Sequence, residues 1–175
     1  TVWLQVDAQS GWENVVTGAT RAFNAKHPDV NVKVQYQTWG DHLTKFDATI
    51  AGGDTPDVIE LGNSETTKYM ANGALRQLSA GAYPNSGTWL KGLKQSCTYN
   101  GHLFCVPYYA GARAVIYRKD LYRQAGIKST PRSLAQFFAN GKKLMKKFAK
   151  DPNFSAFYFA GKNWYASLAF VYDYG

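Results

Sequence analysis

With 175 residues and 45% hydrophobic content the chain is long enough for a domain with a real core, and no apolar run nears the roughly 20 residues of a membrane-spanning helix. Its formal net charge of +8 is unevenly spread: residues 1–109 carry eight basic and nine acidic side chains, residues 110–175 twelve and three. The excess gathers in Lys142, Lys143, Lys146, Lys147 and Lys150, which read as the solvated face of one amphipathic helix and not as a nucleic-acid surface, because aromatic and basic residues do not interleave there.

Residues 1–6 read as a strand from the start, with no secretory leader ahead of them, so the N-terminus reads as trimmed. Residues 7–11 are expected as a loop. A helix is expected over 12–27, with Val15, Val16, Ala19, Ala22 and Phe23 at helical spacing, and Pro28 ends it. Residues 30–39 form a second strand, with Val32, Val34 and Tyr36 alternating onto one face. Asp41 is placed to cap the next helix, which carries Leu43, Phe46 and Ile50 on one side. Gly52 and Gly53 stop that helix, and Pro56 blocks a restart. Val58, Ile59 and Leu61 then make a short buried strand ending in the polar tip Gly62-Asn63-Ser64-Glu65. A helix over 64–72 closes at Gly73. This β-α-β-α-β-α order implies an α/β fold with a mostly parallel sheet and right-handed crossovers.

The pattern then changes. A helix over 89–95 precedes two cysteines, Cys97 and Cys105, that flank the hairpin signal Asn100-Gly101. A two-residue turn pairing Tyr99 with His102 puts the cysteines on opposite faces. A three-residue turn pairing Thr98 with His102 puts them diagonally on one face, within disulfide reach. The second register and its disulfide are preferred, and a disulfide fits an oxidising compartment. Two cysteines without nearby paired histidines do not fill a zinc shell, so no metal is expected. Further on, residues 112–118 read as an apolar strand and 120–125 as a short helix closed by Gly126. Thr130-Pro131 starts a helix with Pro131 at its first position and Leu134, Phe137, Phe138, Leu144 and Met145 along it. Residues 154–159 read as an aromatic strand and 161–164 as a loop. A last apolar helix runs from near Tyr165 to an abrupt stop at Gly175, and the expected reading is a chain cut short.

The ordered motifs carry a resemblance. In sequence they are the opening strand, Phe23-Asn24-Ala25-Lys26-His27-Pro28-Asp29-Val30, Ala51-Gly52-Gly53-Asp54-Thr55-Pro56-Asp57-Val58 and Gly73-Ala74-Leu75-Arg76-Gln77-Leu78. Tyr99-Asn100-Gly101-His102-Leu103-Phe104-Cys105-Val106-Pro107, Ile116-Tyr117-Arg118-Lys119-Asp120-Leu121-Tyr122-Arg123-Gln124-Ala125-Gly126-Ile127 and Thr130-Pro131 follow. Each piece alone is weak, but the ordered set is specific and covers nearly the whole chain. It resembles the extracellular solute-binding proteins of carbohydrate ABC transporters, the maltose-binding-protein-like family 1. The resemblance implies a type II periplasmic-binding-protein-like fold with two lobes of mostly parallel sheet flanked by helices. Residues 1–109 would be the first lobe. Residues 110–175 would be the hinge crossing and the beginning of a second, incomplete lobe. It also implies an extracytoplasmic location, as a cell-surface lipoprotein or in the periplasm, a monomeric protein, and partnership with the membrane permease subunits of an ABC transporter.

Open α/β sheets bind ligands beyond the C-terminal ends of their strands. A sugar presents hydroxyl edges and weakly apolar faces, so it calls for planar polar groups and aromatic rings. The strand ends supply Asp7 and Gln9 after the first strand, Trp39 after the second, and Gly62, Asn63 and Glu65 after the third. Tyr109 and Arg113 lie at the crossing, and Asn163 and Trp164 in the late loop. The resemblance points to Gly62-Asn63, the crossing segment and an aromatic such as Trp164 as ligand contacts. Structural alternatives stay open: Trp39 as a core residue, Asp7 as a helix cap, Glu65 as a first-turn helix acid, and Arg113 as an ion-pair partner of Asp57 or Glu60. His27, His42 and His102 are dispersed and read as surface residues.

The leading functional reading is therefore oligosaccharide binding for delivery to a transporter, without chemistry and without a cofactor. The competing enzyme reading is a glycoside hydrolase, which needs two carboxylates about 5–10 Å apart. Asp7 and Glu65 are candidates, but nothing in the sequence raises the pKa of either. Nucleic-acid binding ranks last.

Overall fold

The strand β1 (Val2–Gln5) sits between two parallel neighbours in the computed structural model, which describes residues 1–159, 161 and 164–174. On one side β2 (Val34–Gln37) pairs from Val2↔Val34 to Gln5↔Gln37. On the other, β3 (Val58–Ile59) pairs at Val2↔Val58 and Trp3↔Ile59. The sheet order is β2-β1-β3. The ladder to β3 reaches one residue further, where the Glu60 N–H donates to the Trp3 carbonyl at 2.8 Å. These strands are shorter than the sequence suggested. The run 58–61 is also less buried than expected, since Val58 is 55% exposed on a strand with one partner among the described residues.

The helix α1 (Val6–Lys26) starts directly after β1, so the expected loop over 7–11 is helical. Asp7 to Ser10 contain no glycine or proline to prevent helix formation. The break comes at Trp12, just after Gly11, where φ −152° and ψ 39° interrupt the helix. The inward stripe also differs from the expected one. Ala8 is buried, and Trp12, Val16, Thr20 and Asn24 follow at four-residue spacing, half-buried. Val15, Ala19, Ala22 and Phe23 face outward.

The helix α2 (His42–Gly52) buries His42 and Phe46 and half-buries Leu43 and Ile50. Asp41 stands at its N-cap position, but its carboxylate serves the Thr38 hydroxyl and, at 2.9 Å, Lys45, so it makes no capping bond. Gly53 closes the helix in the left-handed region at φ 74°, a conformation that glycine adopts without a Cβ penalty. The helix α3 (Thr66–Ala71) lays Tyr69 and Met70 into the core, with the Phe46 and Tyr69 rings 4.8 Å apart. The Tyr69 hydroxyl donates to Asp47 at 2.9 Å.

Two short 3₁₀ turns, Ala80–Ala82 and Ser86–Thr88, lead to α4 (Lys91–Ser96) and the hairpin β4 (Thr98–Tyr99) and β5 (His102–Leu103). Cys97 and Cys105 form a disulfide with Cα atoms 4.9 Å apart. The register is nevertheless the two-residue one, with Tyr99↔His102 and Thr98↔Leu103 around Asn100 and Gly101, both at positive φ. That register was expected to separate the cysteines. It does not, because Cys97 is the C-cap of α4 with ψ 0° and is not extended strand, so the alternation of faces along a strand does not apply to it. Leu78 adds an isolated bridge to Leu103.

The chain divides into two compact units, Thr1–Ala110 and Gly111–Gly175. The second contains α5 (Lys119–Gln124), α6 (Leu134–Lys147) and α7 (Trp164–Tyr174). Its core is Tyr122, Ile127 and Leu144, lined by Tyr117, Leu121, Phe148 and Phe154. The strands expected over 112–118 and 154–159 are not formed. A strand needs an adjacent ladder for its backbone groups, and among the described residues of this unit there is none; Ile116 is 96% exposed. The start of α6 is also later than expected. Ser133, not Thr130-Pro131, caps it: its Oγ accepts the Gln136 N–H at 3.2 Å, and Gln136 Oε1 accepts the Arg132 N–H at 2.8 Å. This is close to a capping box of the S-x-x-Q type.

Candidate functional site

The C-terminal ends of β1, β2 and β3 come together in the first unit, and each contributes a polar or aromatic tip. Asp7 lies in the opening turn of α1, immediately beyond β1. Trp39 lies beyond β2, and its indole Nε1–H donates to Asp7 Oδ2. Two expected site residues are thus joined directly. The Trp39 ring meets the His42 ring edge-on, with centroids 5.2 Å apart and planes at 86°. His42 is 1% exposed, which corrects its reading as a surface residue. Its Nε2 lies 3.0 Å from Glu65 Oε2. That oxygen also accepts the Gly62 N–H at 2.7 Å. An ionised carboxylate only accepts, so Nε2 carries the proton. His42 Nδ1 is buried without a partner among the described residues.

Gly62 and Asn63 form the tip beyond β3. The Gly62 carbonyl accepts the Glu65 and Thr66 N–H groups at 2.9 and 3.1 Å and the Thr66 hydroxyl at 2.9 Å. The tip is therefore fixed at both its N–H and its carbonyl, while Asn63 is exposed. The Glu65 carboxylate is engaged inward by His42 and Gly62; Glu65 stands at the N-cap position of α3 and makes no capping bond, so it is not the first-turn helix acid of the alternative reading. Gln9 is exposed in the opening turns of α1.

Glu60, buried just beyond β3, ties that strand's end to the end of β1. Its Oε2 accepts the Gln5 N–H at 2.8 Å, and Gln5 Nε2 donates back to the Glu60 carbonyl at 3.3 Å. The Tyr109 hydroxyl faces the same carboxyl group. Burial raises the Glu60 pKa above the ordinary carboxylate value, against the Gln5 and Tyr109 donors, which lower it. Burial, then the Glu60 charge, pushes the Tyr109 hydroxyl up to about 12. Beside it, Trp12 Nε1 donates to the Tyr108 hydroxyl at 2.7 Å, and the Trp12 ring stands edge-on to Tyr108 and Tyr109, with centroids 6.3 and 5.3 Å away. Three aromatic rings remain open to solvent: Trp39 at 40%, Tyr108 at 51% and Tyr109 at 45%. Among the described residues, no group of three His, Cys, Asp or Glu side chains is placed to hold a metal ion.

In the second unit, Arg113 is exposed and lies over the Tyr165 ring, 5.7 Å from its centroid. Asn163 lies outside the described residues. Trp164 opens α7, and its side chain lies outside them as well. The site reading missed Trp12, His42 and the tie that Glu60 makes. A single acid inside the apolar run Val58-Ile59-Glu60-Leu61 was the available signal for the last. For His42 there was none beyond its position next to a helix start.

Aromatic and polar groups thus stand at the C-terminal ends of a parallel sheet, the edge at which open α/β folds place ligands. The sequence profile described as bacterial extracellular solute-binding protein matches residues 4–175. The chain belongs to that family. It is 29% identical over 173 residues to the diacetylchitobiose binding protein DasA of Streptomyces coelicolor, covering 98% of this chain and 39% of that protein. Among solved structures, the sugar-binding protein MalE from Xanthomonas citri superposes with a TM-score of 0.63 at 24% identity, over 84% of this chain and 37% of its own. A periplasmic oligogalacturonide binding protein from Yersinia enterocolitica, in complex with saturated digalacturonic acid, superposes with a TM-score of 0.61 at 25% identity, over 79% and 35%. The fold is that of a type II periplasmic binding protein, and the chain spans less than half the length of these relatives. No helix among the described residues is long and apolar enough to cross a membrane.

Proposed function

We propose that this chain binds an oligosaccharide outside the cytoplasm and delivers it to the permease subunits of an ABC transporter. Residues 1–109 act as the first lobe, and residues 110–175 as the hinge crossing and the beginning of the second. Binding proceeds by closure of two lobes around the sugar, as a monomer, with no bond made or broken and no cofactor. The observation that carries this reading is the strand-end platform: exposed Trp39, Tyr108 and Tyr109, with Asp7 bonded to Trp39 and Asn63 exposed at the tip beyond β3. Aromatic faces suit the C–H faces of a pyranose, and planar amide and carboxylate groups suit its hydroxyls.

Asp7, Gln9, Trp39, Gly62, Asn63 and Tyr109 are the proposed contacts of the first lobe, and Arg113, Asn163 and Trp164 those of the second. Glu65 acts through the loop it holds. The sugar-related names of the relatives support the ligand class. Calorimetric titration of the full-length natural protein with a panel of β- and α-linked di- to tetrasaccharides tests the proposal. Saturable binding of at least one is expected, and no heat beyond dilution across the panel would overturn it.

A further inference from the structure

We infer that His42 is a positioning residue that locks the tips beyond β2 and β3 into one ligand-facing surface. The inference rests on the reading of those tips as a sugar site. Two of the interactions of His42 lead to different tips. Its ring meets Trp39 edge-on at 5.2 Å, and Trp39 in turn donates to Asp7 beyond β1. Its Nε2–H reaches Glu65 Oε2 at 3.0 Å, and the same oxygen holds the Gly62 N–H at 2.7 Å. The path from Asp7 through Trp39, His42 and Glu65 to Gly62 therefore crosses all three strand ends.

The centre of this path is buried while its ends are open. His42 is 1% exposed and the Glu65 side chain 10%, whereas Trp39 and Asn63 face solvent. His42 is thus screened from the ligand and bears on it only through its neighbours. Imidazole combines an aromatic ring for Trp39 with a ring N–H for Glu65. Phenylalanine retains the first property and glutamine the second, so the two links can be cut separately.

The test uses His42→Phe, His42→Gln and Glu65→Gln in the full chain, with the Trp39 indole N–H and Gly62 amide resonances followed by heteronuclear NMR without ligand. His42→Phe is expected to shift the Gly62 amide and leave the Trp39 indole near its wild-type position. His42→Gln is expected to do the reverse. Glu65→Gln approaches from the less buried end and is expected to shift the Gly62 amide even if a His42 variant does not fold. Oligosaccharide affinity, measured on folded protein, is expected to fall about tenfold in each variant, the scale of one lost charge-assisted hydrogen bond or aromatic contact. Unmoved Gly62 and Trp39 resonances would overturn the inference. So would shifted resonances with wild-type sugar affinity, because His42 would then be holding structure alone. If the wild type binds no sugar, the proposed ligand class falls, and the resonances still decide whether His42 links the tips.

Discussion

Glu60 places an acid in an apolar setting, and burial is the largest influence on its ionisation. Its folded pKa lies above the ordinary value of 4.5. The folded state therefore binds the proton more tightly than the unfolded state. This contribution to stability is full below about 4.5 and is lost as pH rises through the raised folded value. Glu60→Gln keeps an oxygen for the Gln5 N–H and removes the ionisation. Its stability relative to wild type, from urea midpoints, should rise as pH climbs from 4 through neutrality. A pH-independent difference would contradict this account. The sequence showed this acid but not its burial, because depth depends on Gln5 and Tyr109, 55 and 49 residues away. His42 escaped notice for the same reason: its partners Trp39 and Glu65 meet it only once the sheet has formed. Asp7 and Trp39 were legible separately as strand-end residues, but their hydrogen bond was not.

Among the elements, those with strong punctuation were legible. The Gly52-Gly53 stop, the β-α-β order and the Asn100-Gly101 turn are local signals, and the structure contains all three. The strands expected over 112–118 and 154–159 failed because a strand is defined by a neighbour, and apolar composition does not say whether one is present. The α6 start went astray because Thr130-Pro131 is a louder signal than Ser133-x-x-Gln136, which supplies the cap. Ser133→Ala should cost about 1 kcal/mol of stability in urea unfolding, in line with other lost N-caps. No change would mean that the cap is dispensable. The hairpin gives a second test at this scale. The disulfide closes a short loop, and replacing both Cys97 and Cys105 by serine should cost about 2–3 kcal/mol on the chain-entropy scale. A smaller loss would show that α4 and the Leu78–Leu103 bridge hold the hairpin without it.

For the whole molecule, family membership follows from the match over residues 4–175, and the proposed ligand class rests on the platform in the first unit. The charge imbalance between the two parts of the chain does not enter that argument: the α6 lysines are exposed, and their positions on one helix face fit a solvated surface. The central claim is that the exposed aromatic rings at the strand ends stack on a sugar. The most direct measurement is tryptophan fluorescence of the full-length natural protein during oligosaccharide titration, for wild type, Trp39→Ala and Asn63→Ala. The account predicts a saturable change for at least one oligosaccharide, weakened about tenfold or more by either substitution. Wild-type affinity in both variants, or no saturable response from the wild type to any oligosaccharide, would contradict it.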